Sequence, residues 1–516
     1  MGEPPDAALK VQPSIAEGPD RTPLSHPATG SLPTVVVGLL IALGAVCLYA
    51  VSNPEHFNQY NHFVWQADAF LHGRAWIPFP ELATDSTPGN DYFQDVFPLF
   101  EGDQFTGRVL LPFPPLPAVV LLPFVAAWGL ALDQESVAIA IAGVGVFAAW
   151  WMLGGLRITT AVRALTTLVF ATGTVWWWAA AVGSTWYLAH LVAVIFALLA
   201  VGVALRADPR APDEDPWDEA DRGGLPRVAG RTAGTPAADV DGPGDAAQVA
   251  GGLWPLSGVH VLAGLLLGIG ATARLPLVFG APFLMLVGDG GSTARRTVSA
   301  AVGAVLPVAL LLGYTQLTTG SLLHPGYDYQ YQLEANGYPT LGYNPEWAVE
   351  DLRYVPQNLG IMFGALPVVL PEIKPDTLGV YPIVELCAGP DTTRGVFDAE
   401  CPLAMPVDIG TSILLSAPGL LLALFAIRRR PVARLTLGAG VTVVVIALFN
   451  LAHFSQGWVQ WGYRFSLDFM PFLLPLVALG AARAGDGRPR LSAVVLLVAG
   501  GAINLWGVVW GQLLGW

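Results

Sequence analysis

The chain has 516 residues, 53% of them hydrophobic and only 12% charged, with a formal net charge of −14. A soluble domain carries about 25% charged residues, so half the usual surface charge is missing, and the acidic balance excludes a nucleic-acid-binding face. The charge falls in short clusters between apolar runs of about 20 residues, the length that crosses a bilayer, which identifies an all-α polytopic membrane protein.

Residues 1–31 are polar and Pro-rich with no apolar core, which predicts a disordered cytoplasmic tail rather than a cleavable signal peptide. The run 32–52 is then an uncleaved first span, and Cys47 within it reads as core packing. A first outer loop follows over 52–131. Residues 58–73 read as an amphipathic helix closed by Gly73, with Asn61, Trp65, Asp68 and His72 on one face. A carboxylate with a His four residues on, held at a membrane surface, suits a general base for a hydroxyl. An ordinary interfacial helix with a solvated polar face fits the same pattern. In the apolar run 111–132, prolines stand at 112, 114, 115, 117 and 123. Proline removes helix donors and clashes with the preceding turn, so this run is expected to lie at the interface rather than cross.

Further apolar runs fall at 136–156, 164–182, 186–205, 255–272, 275–288, 297–317, 409–427, 432–451, 466–484 and 490–512. Arginine collects at 157–163, 206–231, 295–296, 428–434 and 483–490. The positive-inside rule puts all five on the cytoplasmic side only if 111–132 does not cross. That gives about 11 transmembrane helices, N-terminus inside and C-terminus outside. Residues 206–253, rich in Pro, Gly, Ala and Asp, predict a disordered acidic cytoplasmic linker. It parts an N-terminal module, 32–205, from a C-terminal module, 254–516. The clusters Trp176–Trp178 and Trp458–Trp461 suit aromatic belts at the interface.

A second outer loop covers 318–408. Tyr327, Tyr329 and Tyr331 recur with period two, which predicts an extended segment with one aromatic face and makes Tyr327 a candidate sugar or acceptor contact. Cys387 and Cys401 lie in the same loop. Outside the cytoplasm they pair plausibly, closing a ring of about 15 residues that contributes about 3 kcal/mol in the chain-entropy model; two free thiols are the alternative. Arg274, in ATARLP, is costly at a membrane unless paired or functional, and its fork suits a phosphate. Arg464 and Asp468, in GYRFSLD, stand four apart as either an ion pair or ligand contacts. His190 either faces the same cavity or is a hydrogen-bonded packing residue. No metal-ligand spacing, phosphate-cradling loop or nucleophile elbow is present, so no cofactor is called for and no ligand cluster demands a metal, with a divalent cation left open.

The run ADAFLHGR, followed about forty residues on by FPPLPAVVLLPFVAAWG, resembles the start of the GT-C glycosyltransferases, the polyprenyl-phosphate-sugar-dependent enzymes that include protein mannosyltransferases and the lipid A aminoarabinose transferase. Pro114, Pro115 and Leu116 stand where that family opens a juxtamembrane helix. The runs GLLLGIGATARLPLVFGAPFL, TTGSLLHPGYDYQ and GYRFSLDFMPFLLPLVALG are similar to it as well. The resemblance implies a GT-C-like fold with juxtamembrane helices in the first outer loop, and an inverting transferase at the outer face of the cell membrane. It implies a lipid-linked sugar donor whose phosphate meets Arg274 and Arg464, a glycan, lipid or protein acceptor, and surrounding membrane lipids. One departure stands out: the acidic pair usual in the family falls here on Gln59 and Tyr60. The base is then expected at Asp68, with Glu55 or Asp95 behind it. A lipid-linked glycan ligase or polymerase, or a transporter, is the runner-up; a transporter calls for ionisable residues at mid-membrane depth, whereas here they cluster at helix ends.

Overall fold

The computed structural model describes residues 32–54, 60–79, 95–207, 256–289, 291–337, 344, 346–377, 382–389, 393–430, 433–457, 459–483 and 487–516. The expected tail, nearly all of the expected linker, Glu55, Gln59 and Trp458 lie outside them.

In hydrocarbon every backbone N–H and C=O needs an internal partner, and the apolar runs accordingly fold as helices. Helix α1 (Leu32–Ser52) leads to α2 (His62–Leu71) and to an antiparallel sheet of β1 (Ile77–Pro78), β2 (Phe97–Glu101) and β3 (Gln104–Leu110), in the order β1-β3-β2. Then come α3 (Leu116–Trp128), α4 (Gln134–Leu153), α5 (Thr160–Thr172), α6 (Trp176–Val182), α7 (Thr185–Arg206) and α8 (Gly258–Ala271). A 3-10 segment (Leu275–Gly280) runs into α9 (Ala281–Leu286), followed by α10 (Thr293–Thr319), α11 (Gly326–Gly337) and α12 (Val355–Gly364). A two-stranded pairing of β4 (Val368–Val369) with β5 (Ala404–Met405) precedes α13 (Ile413–Ser416), α14 (Ala423–Arg429), α15 (Arg434–Ala452), α16 (Ser466–Ala481) and α17 (Leu491–Leu514).

Among the described residues six helices, α1, α4, α7, α10, α15 and α17, are long and apolar enough to cross a membrane; α5 and α6, bent by 50°, add a seventh as one broken span. The eleven expected spans therefore do not appear as eleven unbroken helices. Pro276 follows the break after α8, and Pro418 separates α13 from α14, each lacking the N–H that would continue a helix. Helix α3 has 13 residues, a rise of about 20 Å against a hydrocarbon core of about 30 Å, shorter than a straight span needs. The Leu116 N–H donates to the Thr272 carbonyl at 3.0 Å, docking α3 on the end of α8.

Leu39, Leu40 and Leu43 of α1 and Val305, Leu306 and Leu310 of α10 point outward, where lipid takes the place of a core. Helices α7 and α16 are enclosed by their neighbours. Close approach of α8 and α10 depends on Gly264 and Gly303: a Cβ on either would lie 2.0 Å from the Ala300 or Val261 carbonyl oxygen. The arginine clusters gather at one end of the bundle, where Arg163, Arg296 and Arg490 donate to the carbonyls of Trp150, Met285 and Ala482.

Several expectations change. Cys47 is exposed on α1 rather than packed in the core. Trp176, Trp177, Trp178 and Trp461 are buried, not belted at an interface, because neighbouring helices cover the segments that bear them. The Tyr327–Tyr331 stretch is helical, so Tyr327 and Tyr331 share a face that packs with Trp347, Tyr354 and Phe454 while Tyr329 meets Phe97. Cys387 and Cys401 are joined by a disulfide, and the adjoining Leu386 and Met405 pack on Trp510 of α17.

Candidate functional site

At the end of the bundle opposite the arginine clusters, four segments converge on one carboxylate. Asp468, in the first turn of α16, has a side chain with no exposed surface, and the positive helix N-terminus favours its charge. Arg274, extended between α8 and the 3-10 segment, grips it with both arms of its fork: Nε to Oδ1 at 3.2 Å and Nη2 to Oδ2 at 2.8 Å. Asn450, at the end of α15, donates to Oδ2 at 3.1 Å. His190, one turn into α7, brings Nδ1 to 3.1 Å from Oδ1, though its ring is turned off the line of a hydrogen bond. The pair is a close contact rather than a directed hydrogen bond.

Arg274 keeps 20% of its side chain exposed, and that exposed part lines a cavity of about 440 Å³. Apolar walls come from Pro114, Pro115, Pro276, Leu312, Leu323 and Phe449. Polar groups border it at Trp186, His324, Tyr327, Glu350 and His453, the last two 3.3 Å apart. Phe465 also lines the cavity and carries a guanidinium on each side, Arg274 at 5.2 Å and Arg464 at 5.4 Å from its ring centre. Arg464 further lies 5.7 Å from the Tyr187 ring. Burial pushes the Tyr327 hydroxyl up to about 12, so it stays a neutral donor.

A second carboxylate approaches the same cavity from the first loop. Asp95 lies two residues before β2 in a left-handed conformation, φ 60°, a backbone strain typical of functional positions. Trp186, itself a cavity residue, donates from Nε1 to Asp95 Oδ2 at 2.7 Å. Burial pushes the Asp95 carboxyl above its ordinary value, against the pull of the Trp186 hydrogen bond and the Arg464 guanidinium.

Of the residues singled out in the sequence, Arg274 and Tyr327 line the cavity, His190 backs it through Asp468, and Arg464 adjoins it across Phe465. Asp468 turns to Arg274 instead of pairing with Arg464 four residues away. The Asp68–His72 pair forms at 3.5 Å, with Arg74 also 3.5 Å from Asp68, but His72 is 62% exposed and neither residue lines the cavity. Asn61 heads α2 without capping it and stands outside the lining too. Asn450, Trp186, His324, Glu350 and His453 were not singled out, and no local spacing marks them. Among the described residues no group of three or more His, Cys, Asp or Glu is placed to hold a metal ion.

No family model and no curated protein sequence matches the chain. A comparison of folds finds the crystal structure of the Archaeoglobus fulgidus oligosaccharyltransferase in the apo form, at a TM-score of 0.39 and 10% identity, over 92% of this chain and 56% of that one. The chain thus spans little more than half the length of the protein it matches.

Proposed function

We propose that the protein is a membrane glycosyltransferase that moves a sugar from a polyprenyl-phosphate donor to a hydroxyl acceptor at the extracytoplasmic face. The observation that carries this reading is the convergence of two carboxylate systems, the buried Arg274–Asp468 pair and the half-buried Trp186–Asp95 pair, on one apolar-walled cavity. A donor with a long hydrocarbon tail and a charged head needs such a place: apolar walls for the lipid and fixed cations for the phosphate. Arg274, orientated by Asp468, would meet the phosphate, with Arg464 across Phe465 adding positive potential. Asp95 would take the acceptor proton. The acceptor oxygen bonds to the anomeric carbon as the carbon–oxygen bond to phosphate breaks, the electron pair leaving with the phosphate and the proton passing to Asp95. Attack opposite the leaving group inverts the anomeric centre.

Reading each apolar helical segment other than α3 as one crossing gives eleven spans, and the arginine-rich ends then favour a cavity outside the cytoplasm. Asp95 is favoured over Asp68, the first expectation for the base, because its hydrogen-bond donor Trp186 lines the cavity, whereas His72 and Arg74, the partners of Asp68, do not. The test is to incubate purified protein in detergent with a panel of radiolabelled polyprenyl-phosphate sugars. Label leaving the lipid supports the reading; a panel from which the wild type releases none removes it.

A further inference from the structure

We infer that His324 binds a hydroxyl of the transferred sugar, donating from Nε2 into the cavity, an assignment that rests on the transferase reading. The residue lies between α10 and α11, and its side chain lines the cavity beside Tyr327. The Gly326 backbone N–H donates to Nδ1 at 3.0 Å. A ring nitrogen that accepts carries no proton, so the hydrogen of the neutral ring sits on Nε2. Burial holds the imidazole down at about 4, so the ring stays neutral at ordinary pH and Nε2 stays a donor.

The ring is also fixed in place. Phe97 meets it edge to face, with centroids 5.8 Å apart and planes at 88°. Gly326 is wedged from the other side: a Cβ there would lie 2.8 Å from the Pro112 Cβ and 2.9 Å from His324 Nδ1. Phe97 stands two residues after Asp95, so one strand edge carries both the proposed base and the ring that seats His324. The chemistry of the ligand follows from what is already supplied. Arg274 provides the positive charge for a phosphate. A neutral group with a single directed N–H adds orientation without charge, which suits a neutral oxygen that accepts one hydrogen bond. A sugar hydroxyl is such an oxygen, and in the cavity it would sit among Trp186, Tyr327 and Phe465, rings that suit the C–H faces of a sugar.

The experiment compares wild type, His324→Asn and His324→Gln with the donor sugar found active in the label-release assay and with its single-deoxy analogues. The Asn side-chain oxygen stands near the Nδ1 position and keeps the Gly326 contact but offers nothing at Nε2; Gln reaches the Nε2 position with its amide. On the intact donor, His324→Asn is expected to lower kcat/KM by ~10–100-fold, the range for leaving one buried polar partner unmet, and His324→Gln to recover most of it. One deoxy donor is expected to be used equally by wild type and His324→Asn. Unchanged kcat/KM in His324→Asn overturns the assignment while leaving the transferase reading in place. So does an equal loss in both variants with a lowered melting temperature, since that marks a purely structural turn. A wild type that releases no label removes the transferase reading, and this assignment with it.

Discussion

Asp68 and Asp95 belong to the same stretch between α1 and α4, yet they live in different surroundings. Asp68 meets partners from its own neighbourhood, His72 four residues on and Arg74 six, at a partly exposed helix end. Asp95 is half-buried in a left-handed conformation and takes its hydrogen bond from Trp186, 91 residues away. A pair made along one helix is complete in itself and tolerates water, and such pairs contribute about 0–1 kcal/mol. A carboxylate whose partner comes from a distant helix is held by the whole fold, and burial raises the proton affinity of Asp95.

The largest expected effect separates the two. Asp95→Asn should lower kcat by ~10²–10⁴-fold, the usual worth of a general base, while Asp68→Asn should stay within about fivefold of wild type, as the loss of a surface pair allows. Next comes the same contrast in stability. Asp468→Ala strands Arg274 without its carboxylate and should cost about 3–5 kcal/mol, read as a lower melting temperature in detergent together with a weakened donor KM. Asp351→Ala, which removes the carboxylate paired with the exposed Arg353, should lower the melting temperature far less.

The pH dependence sharpens the comparison further. Transfer needs Asp95 deprotonated, and burial raises its proton affinity, so kcat should fall on acidification with an inflection above the ordinary carboxylate range. Stability should move the other way: a group that binds its proton more tightly when folded stabilises the fold as pH drops through its folded pKa. Melting temperatures of wild type minus those of Asp95→Asn, followed from neutral to acidic pH, check the sign. The smallest effect belongs to the disulfide. Cys387→Ser should cost at most about 3 kcal/mol, the entropy of a short ring, with transfer retained, because neither cysteine lines the cavity.

Much of this architecture was legible in residue patterns. Runs of apolar residues gave the helices, the prolines of 111–132 marked a segment that stays short, and Arg274 drew notice because a lone guanidinium in an apolar run is costly. What spacing could not give was its partner, since Arg274 and Asp468 are 194 residues apart and are joined by the packing of α8 on α7 and of the 3-10 segment on α16. The i,i+4 rule found a real Asp68–His72 contact but not which side of α2 would face the cavity. The same ambiguity misread the tyrosines, because residues two apart in a strand and four apart in a helix both place Tyr327 with Tyr331. The tryptophans followed from a similar gap: a triplet suits an interface until neighbouring helices cover it, as they cover Trp176–Trp178.

One measurement bears most directly on where the chemistry sits. Single-turnover release of label from a radiolabelled polyprenyl-phosphate sugar should be followed for wild type, Asp95→Asn and Asp68→Asn, with donor binding measured in parallel. The cavity account expects release by wild type and Asp68→Asn, and donor binding with almost no release by Asp95→Asn. Release by Asp95→Asn at the wild-type rate, with Asp68→Asn silent, would contradict it and return the base to the exposed end of α2.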